Sequence, residues 1–410
     1  MAQLKKTLGL LDGTTLAVGS IIGSGILFLP SLTFAIAKHD ITIVWPLATF
    51  LCIPLLFIFA DMLKITPNAE GIESFIQLGL GKGIASAIPI IFLGTVTLGM
   101  PSAAIIAGQY ALRATGNSST MPIVAFSLIL IAIIVNFLGG KLGGKVNTFV
   151  AFSLFVVGGV VVGITTSKAV PHFNTVIPVY EFNSISKAIV LAFWAYAGFE
   201  NLSFIAGEFK NPRRDYFLSM IIALISCGLL YFALAFNFAA LIGENTVDSV
   251  VGLSQLTTLA GLDSRFTHLL AVFAIFCVLI NLISWTWGIT RLIFSSANKG
   301  FLPIYFGVQH NNVPRRATML LGTIFLAVLA LGIALPSYFE SALKVVSTNF
   351  VFVYVLCLLS YVIYIKDPIK RFVGATLLAG LIVFLLSSGP LLLYPLGLTA
   401  LSWFIQRRTS

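Results

Sequence analysis

Apolar residues in this chain fall in long unbroken runs, not at alternate positions or on one stripe of a helix, and the connections between runs are short. A bilayer core is about 30 Å thick and asks for about 20 apolar residues per crossing helix. Windows of that length predict helices near 9–37, 41–63, 84–112, 122–139, 147–167, 185–208, 217–243, 265–297, 317–335, 343–365, 372–388 and 390–405. Only helices and closed barrels satisfy their backbone in lipid, and runs without a period of two exclude a barrel. The expected fold is therefore an all-α integral membrane protein of twelve transmembrane helices, forming a single transmembrane domain over 1–410. Pro390 and Pro395 interrupt the last pair, and the stretch 70–80 reads as a short amphipathic helix at the inner surface.

Composition agrees: 58% of the 410 residues are hydrophobic and 9% charged, far from the balance of a soluble domain. Lys5 and Lys6 before the first apolar run, with Ala35-Ile36-Ala37 behind it, imitate a secretory leader. The run is too long for a leader's apolar core, so it is expected to stay as the first span. Cys52, Cys227, Cys277 and Cys357 sit inside apolar runs and read as small buried hydrophobes. The four histidines show no metal-site spacing, so neither metal nor cofactor is expected.

The net charge of +10 comes from basic residues scattered over short loops, without the stripe that nucleic acid requires. Their distribution reports topology instead. With the N-terminus inside, 18 of the 24 Lys and Arg residues fall on inner segments, which predicts an inner-membrane protein with both termini cytoplasmic.

Two spans carry irregular chemistry. The first contains Gly19-Ser20-Ile21-Ile22-Gly23-Ser24-Gly25-Ile26, three glycines within seven residues near mid-membrane. Small residues there serve either close helix packing or a broken helix. If the helix is broken, freed N–H groups around Gly23, Ser24 and Gly25 suit a carboxylate, and freed carbonyls at Ser20 and Ile21 suit an ammonium. The sixth span carries Phe193-Trp194-Ala195-Tyr196-Ala197-Gly198-Phe199-Glu200-Asn201. An intramembrane carboxylate such as Glu200 is either a hydrogen-bonded strut or a residue whose proton loading biases one conformation. Glycine-interrupted helices five spans apart point to an inverted-repeat transporter with its site between halves at about 9–167 and 185–365, plus extra helices at about 372–405.

These residues resemble the amino acid–polyamine–organocation (APC) transporter superfamily. The likeness lies in Gly23-Ser24-Gly25-Ile26-Leu27-Phe28-Leu29-Pro30, in Phe193-Trp194 through Gly198-Phe199-Glu200, and in Gly207-Glu208-Phe209-Lys210-Asn211-Pro212-Arg213-Arg214. Two further loops fit, Pro67-Asn68-Ala69-Glu70-Gly71 and Asn298-Lys299-Gly300-Phe301-Leu302-Pro303, although Glu70 stands where relatives carry glycine. Within the superfamily the chain is most similar to bacterial exporters of L-methionine and branched-chain amino acids.

The resemblance implies a LeuT-like 5+5 inverted repeat with discontinuous helices 1 and 6. It places the substrate carboxylate on Ser24 and Gly25, the ammonium on carbonyls of Ile21, Trp194 and Ala197, and proton sensing on Glu200. Trp285 and Met100 would line a side-chain pocket with Phe193. Of the acids within spans, Asp12 and Asp61 lie near the inner face, so an apolar substrate side chain suits the pocket better than a cationic one. Expected partners are a small amino acid, protons and membrane lipid, with the chain a monomer or a homodimer. Neither an enzyme's nucleophile and base nor a channel's filter loop is present in the sequence.

Overall fold

A computed structural model describes residues 8–22, 25–65, 71–139, 143–197, 209–243 and 246–409. The first predicted span is met by two helices, α1 (Leu10–Ile22) and α2 (Gly25–Ala37). The chain then turns through Lys38–Asp40, where Lys38 takes a φ of 48°, into α3 (Ile41–Ile65). Next come α4 (Gly71–Ala85), α5 (Ile88–Thr115), α6 (Thr120–Phe137), α7 (Gly143–Ala169) and α8 (Phe182–Tyr196). Beyond residue 209 follow α9 (Phe217–Ile242), the short α10 (Gly252–Leu259), α11 (Ser264–Asn298), α12 (Arg315–Ala334) and α13 (Pro336–Tyr364). The chain closes with α14 (Pro368–Leu386) and α15 (Leu393–Thr409).

Among the described residues, nine helical stretches are long and apolar enough to cross a membrane, the first being Gly25–Met62, which joins α2 to α3 through the turn. The protein is thus an all-helical, multi-pass membrane protein. Its helices pack in two groups: α1 and α2 lie with α3, α8 and α9, whereas α5, α6, α11 and α12 contact one another. Asn136 ties the latter group together by donating from Nδ2 to the Ile283 carbonyl at 3.2 Å, the interhelical role that a buried amide takes in an apolar setting.

Several boundaries differ from the sequence expectation, and three of them have consequences for packing. The tenth segment, read as beginning at 343, starts at Pro336, which suits the first turn of a helix because proline lacks only an N–H that would be unpaired there. Between the last two helices the break falls at Gly389–Leu392, with Gly389 at φ 55°, while Pro395 is absorbed into the first turn of α15. The amphipathic segment extends over Gly71–Ala85 and docks into the bundle: Ile72, Glu73, Phe75 and Ile76 are buried, and Gly79 N–H donates to Ser360 Oγ on α13.

That docking buries a charge. Glu73 Oε1 accepts from Lys299 Nζ at 2.8 Å and Oε2 from Ser296 Oγ at 2.7 Å, joining α4 to the end of α11. A second ion pair, Lys370 Nζ to Asp61 Oδ2 at 2.6 Å, joins the start of α14 to the end of α3.

At the other end of the bundle, Asp40 is buried and its carboxylate accepts three backbone N–H bonds, from Val179 (2.6 Å), Tyr180 (2.9 Å) and Glu181 (2.9 Å). Successive N–H groups converging on one anion form a nest, and Tyr180 reaches it with a φ of 63°. The nest clamps the start of α8 to the α2–α3 corner. Asp40→Asn, which substitutes an NH₂ for one acceptor oxygen, should lower unfolding stability by about 1–3 kcal/mol. Thermal unfolding of the purified protein checks this, and an unchanged midpoint would show the clamp to be energetically idle.

Candidate substrate site at the helix breaks

Helix α1 is described to Ile22 and α2 from Gly25; the Gly23-Ser24 pair between them, where the first break is expected, lies outside the described residues, as does the side chain of Ser20. Glycine loses more conformational freedom than any other residue on entering a helix, which is why the sequence marks this pair as a weak point of the span. In the sixth span, helix α8 ends at its cap residue, Ala197. Its ψ of 124° leaves the helical region, although its N–H still bonds the carbonyls of Phe193 and Trp194, both at 3.1 Å. Gly198 and Glu200 lie outside the described residues.

Gly25 packs against α8 two residues before that helix ends. A Cβ built there would lie 3.6 Å from Ala195 Cα of α8, 3.1 Å from Leu29 Cδ1 and 2.9 Å from the hydroxyl of Tyr231. A side chain at this position would therefore collide with a buried phenol while touching the α8 backbone at ordinary contact distance. Tyr231 comes from α9, and its hydroxyl points at the end of α1, donating to the carbonyls of Ile21 and Ile22 at 3.4 Å each. Both bonds are long. Each carbonyl has a second lone pair, so Ile21 keeps the capacity to accept from an ammonium.

Tyr231 is held by aromatic packing. Trp45 stacks on it at 4.4 Å and 12°, and Tyr196 meets it edge-on at 5.9 Å. The Tyr196 hydroxyl hydrogen-bonds Thr49 Oγ1, and Trp45 Nε1 donates to Thr33 Oγ1 at 3.2 Å. This cluster fixes α2, α3, α8 and α9 around the breaks. Sequence reading passed over Tyr231 and Trp45. For Tyr231 the available signal was a hydroxylated ring at mid-span, away from the interfacial belts where such rings normally sit; Trp45, five residues into α3, gave none.

A line of rings runs from the breaks into the bundle. Trp194 meets Phe28 edge-on at 5.1 Å, and a Cβ on Gly99 would sit 3.6 Å from Trp194 Cζ2 and 3.4 Å from Val346 Cγ1. One turn along α13, Phe350 packs on Trp285 at 5.5 Å. Gly99 thus lies between Trp194 and Val346, and Trp285 packs on Phe350 one turn further along α13. Phe193 turns instead toward Tyr354, at 6.1 Å. Met100 is buried on α5 beside Gly99. Ile21, Gly25, Trp194 and Ala197 are brought to the breaks, Trp285 to the far end of the aromatic line, and Phe193 to a separate contact. Among the described residues no cluster of His, Cys, Asp or Glu is arranged to hold a metal ion.

The family model for "Amino acid permease" matches residues 8–405. The uncharacterized amino acid permease YecA of Bacillus subtilis (strain 168) is 26% identical over 99% of this chain and 97% of its own. The L-methionine/branched-chain amino acid exporter YjeH of Escherichia coli (strain K12) is 27% identical over 56% of each chain. The branched-chain amino acid permease BcaP of B. subtilis is 24% identical over 78% of this chain and 74% of its own. Among solved structures, a mutant of the manganese transporter of Eremococcus coleocola superposes with a TM-score of 0.63 at 13% identity, covering 99% of this chain and 98% of that one, which shows a shared fold. A bundle of long apolar helices, matched by one family model along nearly its whole length, belongs to the amino acid permeases of the APC family, which are transporters and not enzymes.

Proposed function

We propose that this chain is a secondary active transporter that moves neutral apolar L-amino acids, the methionine, leucine, isoleucine and valine class, across the inner membrane by alternating access, exporting them in exchange for protons. The observation that carries this reading is the packing of Gly25 against Ala195 of α8, two residues before that helix leaves helical geometry at Ala197, together with the ring pairs of Phe28 with Trp194 and of Phe350 with Trp285. Freed N–H groups at Ser24 and Gly25 would hold the substrate carboxylate at the positive end of α2. The carbonyls of Ile21, Trp194 and Ala197 would accept from its ammonium. An apolar wall of this kind separates aliphatic side chains poorly, since one methylene is worth about 1–3 kcal/mol.

Within this reading the chain is one twelve-span domain, its helices 1–5 and 6–10 forming inverted repeats with two further helices behind them and both termini cytoplasmic. Pairing of α5 with α11 and of α6 with α12, helices that occupy equivalent places in the two halves, supports the repeat. The exporter among the relatives supports the substrate class and direction. Import of the same class is the second reading, favoured by the longer match to the branched-chain permease.

One experiment tests substrate and coupling together: twenty amino acids competing against labelled leucine in proteoliposomes at two pH values, for the wild type and Glu200→Gln. Methionine, leucine, isoleucine and valine should compete, lysine and arginine should not, and the variant should lose the pH dependence. Competition by cationic substrates would overturn the substrate class. An unaltered pH profile in the variant would remove Glu200 from proton coupling.

A further inference from the structure

At the bundle end that carries Lys299 and Lys370, a shallow pocket opens between α6, α11 and the loop leading to α12. Asn136, Gly139, Trp287, Arg291, Asn312 and Pro314 are among its walls. The loop is a built structure: His310 and Val313 exchange backbone hydrogen bonds, 3.0 Å each way, across Asn311 and Asn312, both at positive φ (51° and 61°). It rests on α6, where a Cβ on Gly139 would come within 3.1 Å of Val313 Cγ2.

The chemistry of the pocket has one sign. The Arg291 guanidinium lies over the Trp287 ring at 4.2 Å, that of Arg315 over Phe137 at 4.9 Å, and that of Arg316 over Tyr305 at 4.3 Å. Two donors here, Trp287 Nε1 and Arg315 Nε, are buried without a hydrogen-bond acceptor, which is costly for N–H groups in a low-dielectric setting. One belongs to a residue of the pocket wall and the other to the residue after Pro314.

Beside the pocket the surface is apolar. Ile131, Ile134 and Leu138 form an exposed stripe on α6 that ends one residue from Gly139, and Ile304 and Tyr305 are exposed on the loop. Cationic donors at the membrane edge with an apolar stripe leading away from them match an amphiphile whose head is an anion and whose tails lie in the bilayer.

We propose that this pocket binds the phosphodiester headgroup of an anionic phospholipid, with Arg291 and Arg315 supplying charge, Trp287 supplying a neutral donor, and the acyl chains lying along Ile131, Ile134 and Leu138. Free phosphate would satisfy the donors but leave the stripe without a role.

The test is binding of phosphatidylglycerol and phosphatidylcholine to the delipidated full chain, followed by native mass spectrometry, with thermal unfolding in added inorganic phosphate as a separate arm. Phosphatidylglycerol should bind about tenfold more tightly than phosphatidylcholine, the ratio expected of one charge-assisted contact. Arg291→Gln and Trp287→Phe, the latter keeping the ring and losing only the N–H, should each reduce that preference several-fold. Arg265→Gln, about 39 Å away at the opposite end of the same helix, should leave it intact. Equal binding of the two lipids, or an unchanged preference in both pocket variants, would overturn the proposal. Stabilisation by inorganic phosphate equal to that by phosphatidylglycerol would overturn it in favour of a plain anion site.

Discussion

Gly25→Leu is expected to abolish exchange of labelled amino acid in proteoliposomes, by about a hundredfold or more, while the protein still inserts and purifies. The first added carbon would fall 2.9 Å from the Tyr231 hydroxyl and 3.1 Å from Leu29, with the α8 backbone at Ala195 behind them. Leu29 has a flexible end that can yield. The phenol is pinned between Trp45 and Tyr196, and the α8 backbone cannot withdraw without moving Trp194. The variant must therefore separate α2 from α8 at the point where the substrate's charged groups are proposed to bind, and a misplacement of about 1 Å at such a site can lower rates by about 100-fold. The fold survives because most of the buried surface lies in helix pairs away from this contact. Wild-type exchange in Gly25→Leu would show that the breaks do not form the substrate site.

Glu73→Ala is expected to lower the unfolding stability of the purified protein by about 3 kcal/mol, toward the lower end of the range for breaking a buried ion pair. Glu73 is 1% exposed, whereas Lys299 keeps 21% of its side chain accessible and can recover some hydration when its partner is lost. Ser296 also loses its acceptor. Glu73→Leu combined with Lys299→Met should recover most of the loss, because exchanging both charges for apolar groups of similar size leaves no ion stranded. Denaturation of the three proteins measures this. Equal midpoints for Glu73→Ala and the wild type would show that the contact contributes nothing to stability.

The end of α8 at Ala197 was legible in Gly198 beside it, because a missing Cβ weakens a helix wherever it occurs, whereas the break expected at Gly23-Ser24 lies outside the described residues. The aromatic run around Phe193 and Trp194 was legible for the same local reason. Tyr231 was not, since its role depends on a hydroxyl reaching the carbonyls of Ile21 and Ile22, more than 200 residues earlier in the chain. Glu73 illustrates the same limit. An amphipathic pattern that includes Glu70 and Glu73 reads as a helix resting at a surface, and Lys299 and Ser296, arriving from the end of α11, make burial of the Glu73 carboxylate tolerable. Asp40 carried no sequence signal of its role, because the three N–H groups that enclose it come from the segment before α8.

The order of the spans, their membrane character and the weak points in the first and sixth are properties of neighbouring residues, because lipid demands unbroken apolar helices and penalises each departure where it stands. Which weak points face each other, which phenol reaches the exposed carbonyls, and which buried carboxylates find partners depend on helices far apart in the chain coming to lie side by side. Those choices emerge from packing. The free energy of a buried polar group is set by what surrounds it in space, and for Tyr231, Glu73 and Asp40 the surroundings arrive from elsewhere in the fold.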